Sequence, residues 1–492
     1  MRQSRARGKF AFLLLGAFII LSSCKKHEKE SKPNIVYILT DQWRASATGY
    51  AGDPNIKTPH IDEFAKKSVN FVNAVSVTPV CTPHRAALLT GRFPTSTGMF
   101  LNDIYLPEEE LCMAEIFKAE GYQTAYLGKW HLDGHGRLNN VEPDRRQGFD
   151  YWKGLECSHD YNKMPYYEND DPEMKYWEGY SPYALAEDAN RYLSDHANIE
   201  NPFLLFISFA TPHFPHVSAP LEFKEMYPQE KLKLAPNVPR ELDELTRREL
   251  QGYYAHCTAT DSAIGTVLNK LQELNLMKNT IVVFTSDHGE MMGAHGIKPF
   301  TKQLAWDESV KVPFLIYYPS IGLYQGSVVN APINTPDILP SLLSLAKLDI
   351  PETIEGEDLS ALIRKPDPEK DRAALIMNVS PFSTNFKDSE YRAIRTRQYT
   401  YARTIEGPEM LFDNLHDPYQ MNNLIDNPGF AELQKQLDQM LYNELVKIGD
   451  NFQPREYYMS KWNFVMDNRR NAIDYWSFSE GKGVVQTPTL QD

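Results

Sequence analysis

Four short runs constrain this chain most: NIVYILT (34–40), YQTAYL (122–127), FLLFISF (203–209) and TIVVFTS (280–286). They are rich in apolar and β-branched residues throughout rather than on alternate positions, as in strands covered on both faces of a parallel sheet. Stretches with helical spacing separate them, at 111–120, 181–195 and 240–274, so the chain reads as α/β. Each run hands over to polar residues at its C-terminal end: Asp41 and Gln42; Lys129 and His131; His213 and His216; Asp287 and His288. Open α/β sheets hold their ligands at that end of the strands. Lys129 and His131 are two apart in extended chain and face the same side.

A fifth element stands between the first two runs, in Val80-Cys-Thr-Pro-His-Arg-Ala-Ala-Leu-Leu-Thr-Gly91. Pro83 suits a first helical turn and Gly91 a C-cap, so a helix begins at Cys81. Cys81 then faces the free N–H groups and positive dipole end of that helix, with Arg85 one turn on. An isolated cysteine more often packs in a core; the fixed Pro and Arg offsets favour a functional residue.

Cys81-Thr-Pro-His-Arg85 fits the C-x-P-x-R signature, and AALLTGRFPTSTG resembles the rest of the signature, of type I sulfatases in the alkaline-phosphatase superfamily. The resemblance implies an α/β fold with a large mixed, mostly parallel sheet sandwiched by helices, and a smaller C-terminal α+β subdomain. It also implies that a formylglycine-generating (sulfatase-maturing) enzyme converts Cys81 to 3-oxoalanine (formylglycine), whose hydrated aldehyde is the nucleophile. By the same resemblance Asp41, Gln42, Cys81, Asp287 and His288 surround a divalent metal, Ca2+ with Mg2+ or Mn2+ as alternatives. Arg85, Lys129, His131 and Lys302 then hold the nucleophile and the sulfate, and His213 protonates the leaving oxygen. Two departures stand out: Gln42 where the family has a second aspartate, and His84 where serine is commonest. Glutamine still offers a carbonyl oxygen to a hard cation.

The implied activity is sulfuric ester hydrolysis on carbohydrate sulfates, such as glycosaminoglycan, mucin or algal sugars. Two other readings are a phosphodiester or phosphonate monoester hydrolase of the same superfamily, and a catalytically dead glycan-binding lipoprotein. The stretch 133–177 reads as a long loop crowded with aromatic and charged residues, where substrate is often selected. His135, Arg137 and Arg145 there, with His216, are candidate sugar or sulfate contacts.

The ends carry separate signals. Arg2, Arg5, Arg7 and Lys9 precede the apolar run 10–21, and Leu21-Ser-Ser-Cys24 resembles a bacterial lipobox. Residues 1–24 read as a lipoprotein signal peptide and 25–33 as a polar tether. The expectation is an exported protein, periplasmic or at the cell surface, touching membrane only through a lipid on Cys24. Residues 34–365 read as the catalytic domain, and a Pro/Asp/Lys-rich linker leads to a C-terminal subdomain, 371–492. In it, 391–404 and 409–413 read as strands and 430–448 as a helix. The last forty or so residues, with Trp462 and Trp476, read as folding back over the first domain. Five cysteines do not make a disulfide scaffold in 492 residues, and Cys112, Cys157 and Cys257 read as buried thiols. A net charge of -14 argues against nucleic acid as a partner.

Overall fold

A computed structural model describes residues 32–319, 326–382 and 390–464. The signal segment with Cys24, most of the tether, and the tail with Trp476 lie outside the described residues. The strands of the larger part are β1 (Asn34–Asp41), β2 (Val69–Phe71), β3 (Ala74–Val75), β4 (Gln123–Lys129), β5 (Tyr151–Leu155), β6 (Pro165–Glu168), β7 (Asp171–Tyr176), β8 (Phe203–Pro212), β9 (Thr280–Ser286), β10 (Phe314–Tyr317), β11 (Val328–Val329) and β12 (Ile333–Asn334). Ten of them form one sheet in the order β11-β2-β10-β9-β1-β8-β4-β5-β6-β7. The four apolar runs of the sequence are its parallel centre, β9-β1-β8-β4.

Alternation along these strands explains why each run is apolar throughout. Ile35, Tyr37, Leu39, Phe206 and Val283 enter one core with the helix Cys81–Thr90 and the helix Ile338–Leu345. Val36, Ile38, Leu205, Ile207 and Val282 enter a second core, under the helices Ser181–His196 and Asp243–Glu273. Both faces are thus covered, and the polar residues at the strand ends project beyond the cores. Gly128, at the end of β4, has φ +102, and a Cβ there would meet the Ser208 carbonyl oxygen at 2.1 Å. Only glycine lets β4 and β8 approach this closely just before Lys129.

The structure departs from the sequence reading in three places. The stretch 133–177 is not a loop throughout: β5, β6 and β7 extend the sheet at one edge. Lys153 and Gly154 interrupt β5, and β7 (DPEMKY) has no buried face, so neither carries a period-two apolar signal. Asn70 to Val77 reads in the sequence as one strand leading to Cys81, but the structure breaks it into β2, in the main sheet, and β3, which pairs with β12. β13 (Ala374–Asn378) was not expected as a strand at all. It forms an antiparallel sheet with β14 (Tyr391–Arg395), β15 (Tyr399–Arg403) and β16 (Pro408–Asp413). The helix Ala431–Lys447 buries Leu437, Leu441 and Leu445 beside this sheet. After the helix Arg455–Lys461, Trp462 lies over Gly98, where an added Cβ would meet its ring at 2.6 Å. Among the described residues no helix is long and apolar enough to cross a membrane.

Candidate active site

The helix Cys81–Thr90 starts beside the C-terminal ends of β1 and β9 and ends at Gly91 in the left-handed conformation, φ 66. Its first residue is 1% exposed. Cys81 Sγ lies 3.3 Å from His288 Nε2, 3.8 Å from Asp41 Oδ1 and 3.2 Å from Lys302 Nζ. Lys302 Nζ also reaches His288 Nε2 at 3.1 Å, His213 Nε2 at 3.2 Å and Gln42 Oε1 at 3.5 Å. Arg85 anchors the floor. It donates to both Asp41 Oδ2 (3.4 Å) and Asp287 Oδ2 (3.2 Å), and to Ser208 Oγ and the Lys129 carbonyl, each at 2.8 Å. Lys129 Nζ donates to Asp41 Oδ2 at 2.5 Å.

Asp41, Cys81, Asp287 and His288 each offer a ligand atom, all within 4.8 Å of one another. Burial pushes the Asp287 carboxyl up, and the adjacent Asp41 adds to it. Burial also opposes the Asp41 carboxylate, but Lys129 chiefly, with His213 and Arg85, holds it well below the usual range. Two buried carboxylates, an imidazole and the Gln42 carbonyl form a donor set that suits a hard divalent cation.

The model for the family described as Sulfatase matches residues 33–348. The chain belongs to the sulfatase family. A second model, described as N-sulphoglucosamine sulphohydrolase, C-terminal, matches residues 293–447. The sulfatase is 63% identical to a Formosa agariphila protein named ulvan-active sulfatase, over 97% of this chain and 94% of that one. It is 30% identical to the endo-4-O-sulfatase of Bacteroides thetaiotaomicron, over 85% of this chain and 92% of the relative. The crystal structure of the Bacteroides fragilis sulfatase yidJ superposes with a TM-score of 0.79 at 30% identity, covering 88% of this chain and 99% of that one. The enzyme is a sulfuric ester hydrolase with the alkaline-phosphatase-like fold of these relatives.

Two of the expected residues come with partners that sequence reasoning missed. His131 Nε2 is 2.8 Å from Asp103 Oδ1, and Arg137 grips the same carboxylate through Nε (2.8 Å) and a terminal nitrogen (2.7 Å). Burial opposes a charged His131, but Cys157 and Asp103 outweigh it, and its pKa is pushed up to about 10. Asp103 sits in an irregular segment with φ 60 and carries no motif, so nothing in the sequence marked it. Gln42, with φ 67, donates its carboxamide to Glu290, whose other oxygen accepts from Met292 N at 3.0 Å. Glu290 stands in the Asp-His-Gly-Glu string, and that proximity was the available signal. Glu156 likewise orders the turn after His131 by accepting the N–H groups of Leu132 (3.0 Å) and Gly134 (2.9 Å).

Of the other candidate contacts, Arg145, His135 and His216 sit apart from this cluster's hydrogen bonds. Arg145 Nε donates to Asp133 Oδ1 at 2.6 Å, and His135 Nδ1 bonds the Asp133 carbonyl. His216 is buried, 3.3 Å from Glu249 Oε2 and against Tyr253 and Phe300. His213, with Nδ1 2.8 Å from the Phe214 carbonyl oxygen, is stacked on His159 at 4.6 Å. His84 turns away from the cluster to Ser76 Oγ (2.9 Å) and Thr335 Oγ1 (3.2 Å).

Proposed function

We propose that this sulfatase removes O-sulfate from sugar units of an anionic polysaccharide, through a formylglycine made from Cys81 and with a bound Ca2+. The observation that carries the reading is Cys81 at a helix mouth, 3.2 Å from Lys302 and 3.3 Å from His288, above two buried aspartates. A polysaccharide of the ulvan type is the first candidate, because the Formosa relative bears that name at 63% identity.

A sulfate ester is an anion, so its hydrolysis needs concentrated positive charge and a proton donor for the leaving oxygen. When bound to Asp41, Gln42, Asp287 and His288, Ca2+, or Mg2+ or Mn2+ in its place, would supply Lewis-acid polarisation, and formylglycine at position 81 would supply the attacking hydroxyl. The chain's own residues do the rest. Arg85 fixes the two aspartates in one orientation. Lys129 and Lys302 hold the nucleophile's position and spread charge over the sulfate oxygens. Burial and Lys302, 3.2 Å away, hold the His213 pKa well below the usual value; a bound sulfate anion would offset that charge as His213 passes a proton to the departing sugar oxygen. His131, its pKa raised by Cys157 and Asp103, completes the ring of donors.

Export as a lipoprotein anchored through Cys24, and maturation by a formylglycine-generating enzyme, belong to the same reading. The test is to co-produce the protein with such an enzyme, supply Ca2+, and measure sulfate and phosphate released from sulfated and phosphorylated sugars and from ulvan fragments. Sulfate release that disappears in Cys81→Ala is the expected result. Phosphate release instead would favour the phosphonate and phosphodiester branch, and no release from a matured protein would leave a glycan-binding scaffold.

A further inference from the structure

Arg44 ends the turn that follows the metal ligands of β1, yet it points into a different cavity. It is 8% exposed. Its Nε has no hydrogen-bond partner, and among the described residues no carboxylate forms an ion pair with it. Asp53 and Glu308 are the acids nearest it electrostatically, but neither is hydrogen-bonded to it, and Glu308 Oε2 is itself without a hydrogen-bond partner. Asp53 accepts from Tyr254 OH at 2.7 Å, and Glu308 accepts from Asn237 Nδ2 at 2.7 Å. A buried guanidinium whose nearby acids do not bond it directly leaves hydrogen-bonding capacity unused, which is costly.

The cavity that Arg44 lines has a volume of about 610 Å3, within the range of roughly 300–1,000 Å3 that ligand pockets occupy. Tyr50, Asp53, Asn55 and Tyr254 line it beside Arg44, and the edge strand β11 and its neighbour β2 form one wall. Thr246 Oγ1, also lining it, is a second buried polar atom without a partner. None of the catalytic or metal-site residues lines it. Tyr253 joins the two regions: its OH donates to the Gln42 carbonyl and accepts from Arg44 N, both at 3.0 Å.

We infer that this cavity is a second saccharide site, in which Arg44 receives the oxyanion of an acidic sugar of a polymeric substrate while the catalytic site holds another unit. Guanidinium favours carboxylate or sulfate oxygens, which it can grip through two nitrogens. The tyrosine rings offer stacking surfaces, and Thr246 Oγ1 and Glu308 Oε2, both without a hydrogen-bond partner, offer bonds to ring hydroxyls. The inference rests on the polysaccharide reading given above.

The test uses the full chain carrying Cys81→Ala, so that substrate is not consumed. Binding is measured by calorimetry for three probes: an unsulfated uronate oligosaccharide, a sulfated oligosaccharide of neutral sugars, and inorganic sulfate. At least one oligosaccharide should bind, and Arg44→Gln should weaken it about tenfold or more, the scale of a charge-assisted hydrogen bond. Val328→Trp, which obstructs the mouth from an exposed edge position and leaves Arg44 in place, should weaken it too. Whichever oligosaccharide responds identifies carboxylate or sulfate as the oxyanion. Oligosaccharide binding indifferent to both variants, or inorganic sulfate binding as tightly as either oligosaccharide, overturns the inference. The two readings fail separately. Sulfate release by the matured wild type with binding indifferent to Arg44 removes only the second site; Arg44-dependent binding without sulfate release removes only the activity.

Discussion

The carboxamide of Gln42 donates to the carboxylate of Glu290, which leaves Gln42 Oε1 facing Lys302 Nζ at 3.5 Å. Glutamine at this position therefore has a fixed orientation, with its carbonyl turned inward and its NH2 group satisfied behind. Glu290→Ala should remove that constraint and leave a buried donor unpaired, at a cost of about 1–3 kcal/mol. If Gln42 holds Ca2+ as proposed, the Ca2+ concentration needed for half-maximal activity should rise about 10–100-fold, as for partners that orient metal ligands. Calcium titration of activity after chelator treatment checks it, and an unchanged midpoint refutes the orienting role.

Asp103 should control the charge on His131. Its carboxylate helps raise the His131 pKa to about 10, so the imidazolium persists through neutral pH and is lost only as pH rises through that value. Asp103→Asn removes the negative charge and lowers the pKa. The alkaline limb of the pH profile of kcat/KM should move to lower pH, with kcat down about 10–100-fold. A uniform loss at every pH, with the limb unmoved, would reduce Asp103 to a structural residue.

His84 is a packing residue. It is 1% exposed, and burial foremost keeps its imidazole neutral by holding its pKa well below the usual value. His84→Ser should open a void and lower stability by about 1–3 kcal/mol, by the ordinary arithmetic of buried truncations. Denaturant unfolding measures the loss. Conversion of Cys81, read by mass spectrometry, should be unaffected.

Asp261 gives the scaffold a pH dependence. It accepts the backbone N–H groups of Ile61 (2.7 Å) and His60 (3.2 Å), and burial raises its pKa from 3.8 to about 7. A carboxyl with a raised folded-state pKa favours the folded state when protonated. Its contribution is therefore full below pH 3.8 and is lost as pH rises to about 7. Asp261→Asn retains one acceptor without the charge. Melting curves from pH 4 to pH 8 should show the variant gaining on the wild type as pH rises; parallel curves would sink the idea.

The small antiparallel sheet should set the position of Lys302. Gln303, with φ 83, exchanges two hydrogen bonds with the Phe382 backbone (2.9 and 3.2 Å), and its carbonyl accepts from Asn378 Nδ2 at 2.9 Å. Asn378→Ala should lower kcat severalfold, because one lost hydrogen bond is worth about 0.5–1.5 kcal/mol. A loss of thermal stability with kcat intact would mean that the sheet supports the fold alone.

What the sequence made legible follows from burial. The central strands announce themselves because two covered faces demand apolar residues everywhere, and the residues at their ends stand out by contrast. Edge strands have no such demand: β7 is built from DPEMKY, and its place is set by pairing with β6. The same holds within the site. Cys81, Lys129, Asp287 and Lys302 sit in strings whose spacing is readable, whereas Asp103 reaches His131 from an irregular segment and is recognisable only in three dimensions. His216 shows the opposite case, a histidine in a suggestive string that the fold turns into its core against Tyr253.

β1 and β9 lie side by side, yet the bond from Gln42 N to Asp287 Oδ1 joins positions 245 apart in the chain. A chain leaving the ribosome N-terminus first presents Cys81, Lys129 and His213 well before the strand that completes their surroundings exists. Closing so long a loop adds little free energy per added residue, but it slows assembly. On refolding, activity therefore returns after the helical signal, because Cys81, buried in the finished fold, gains its last neighbours only when β9 inserts.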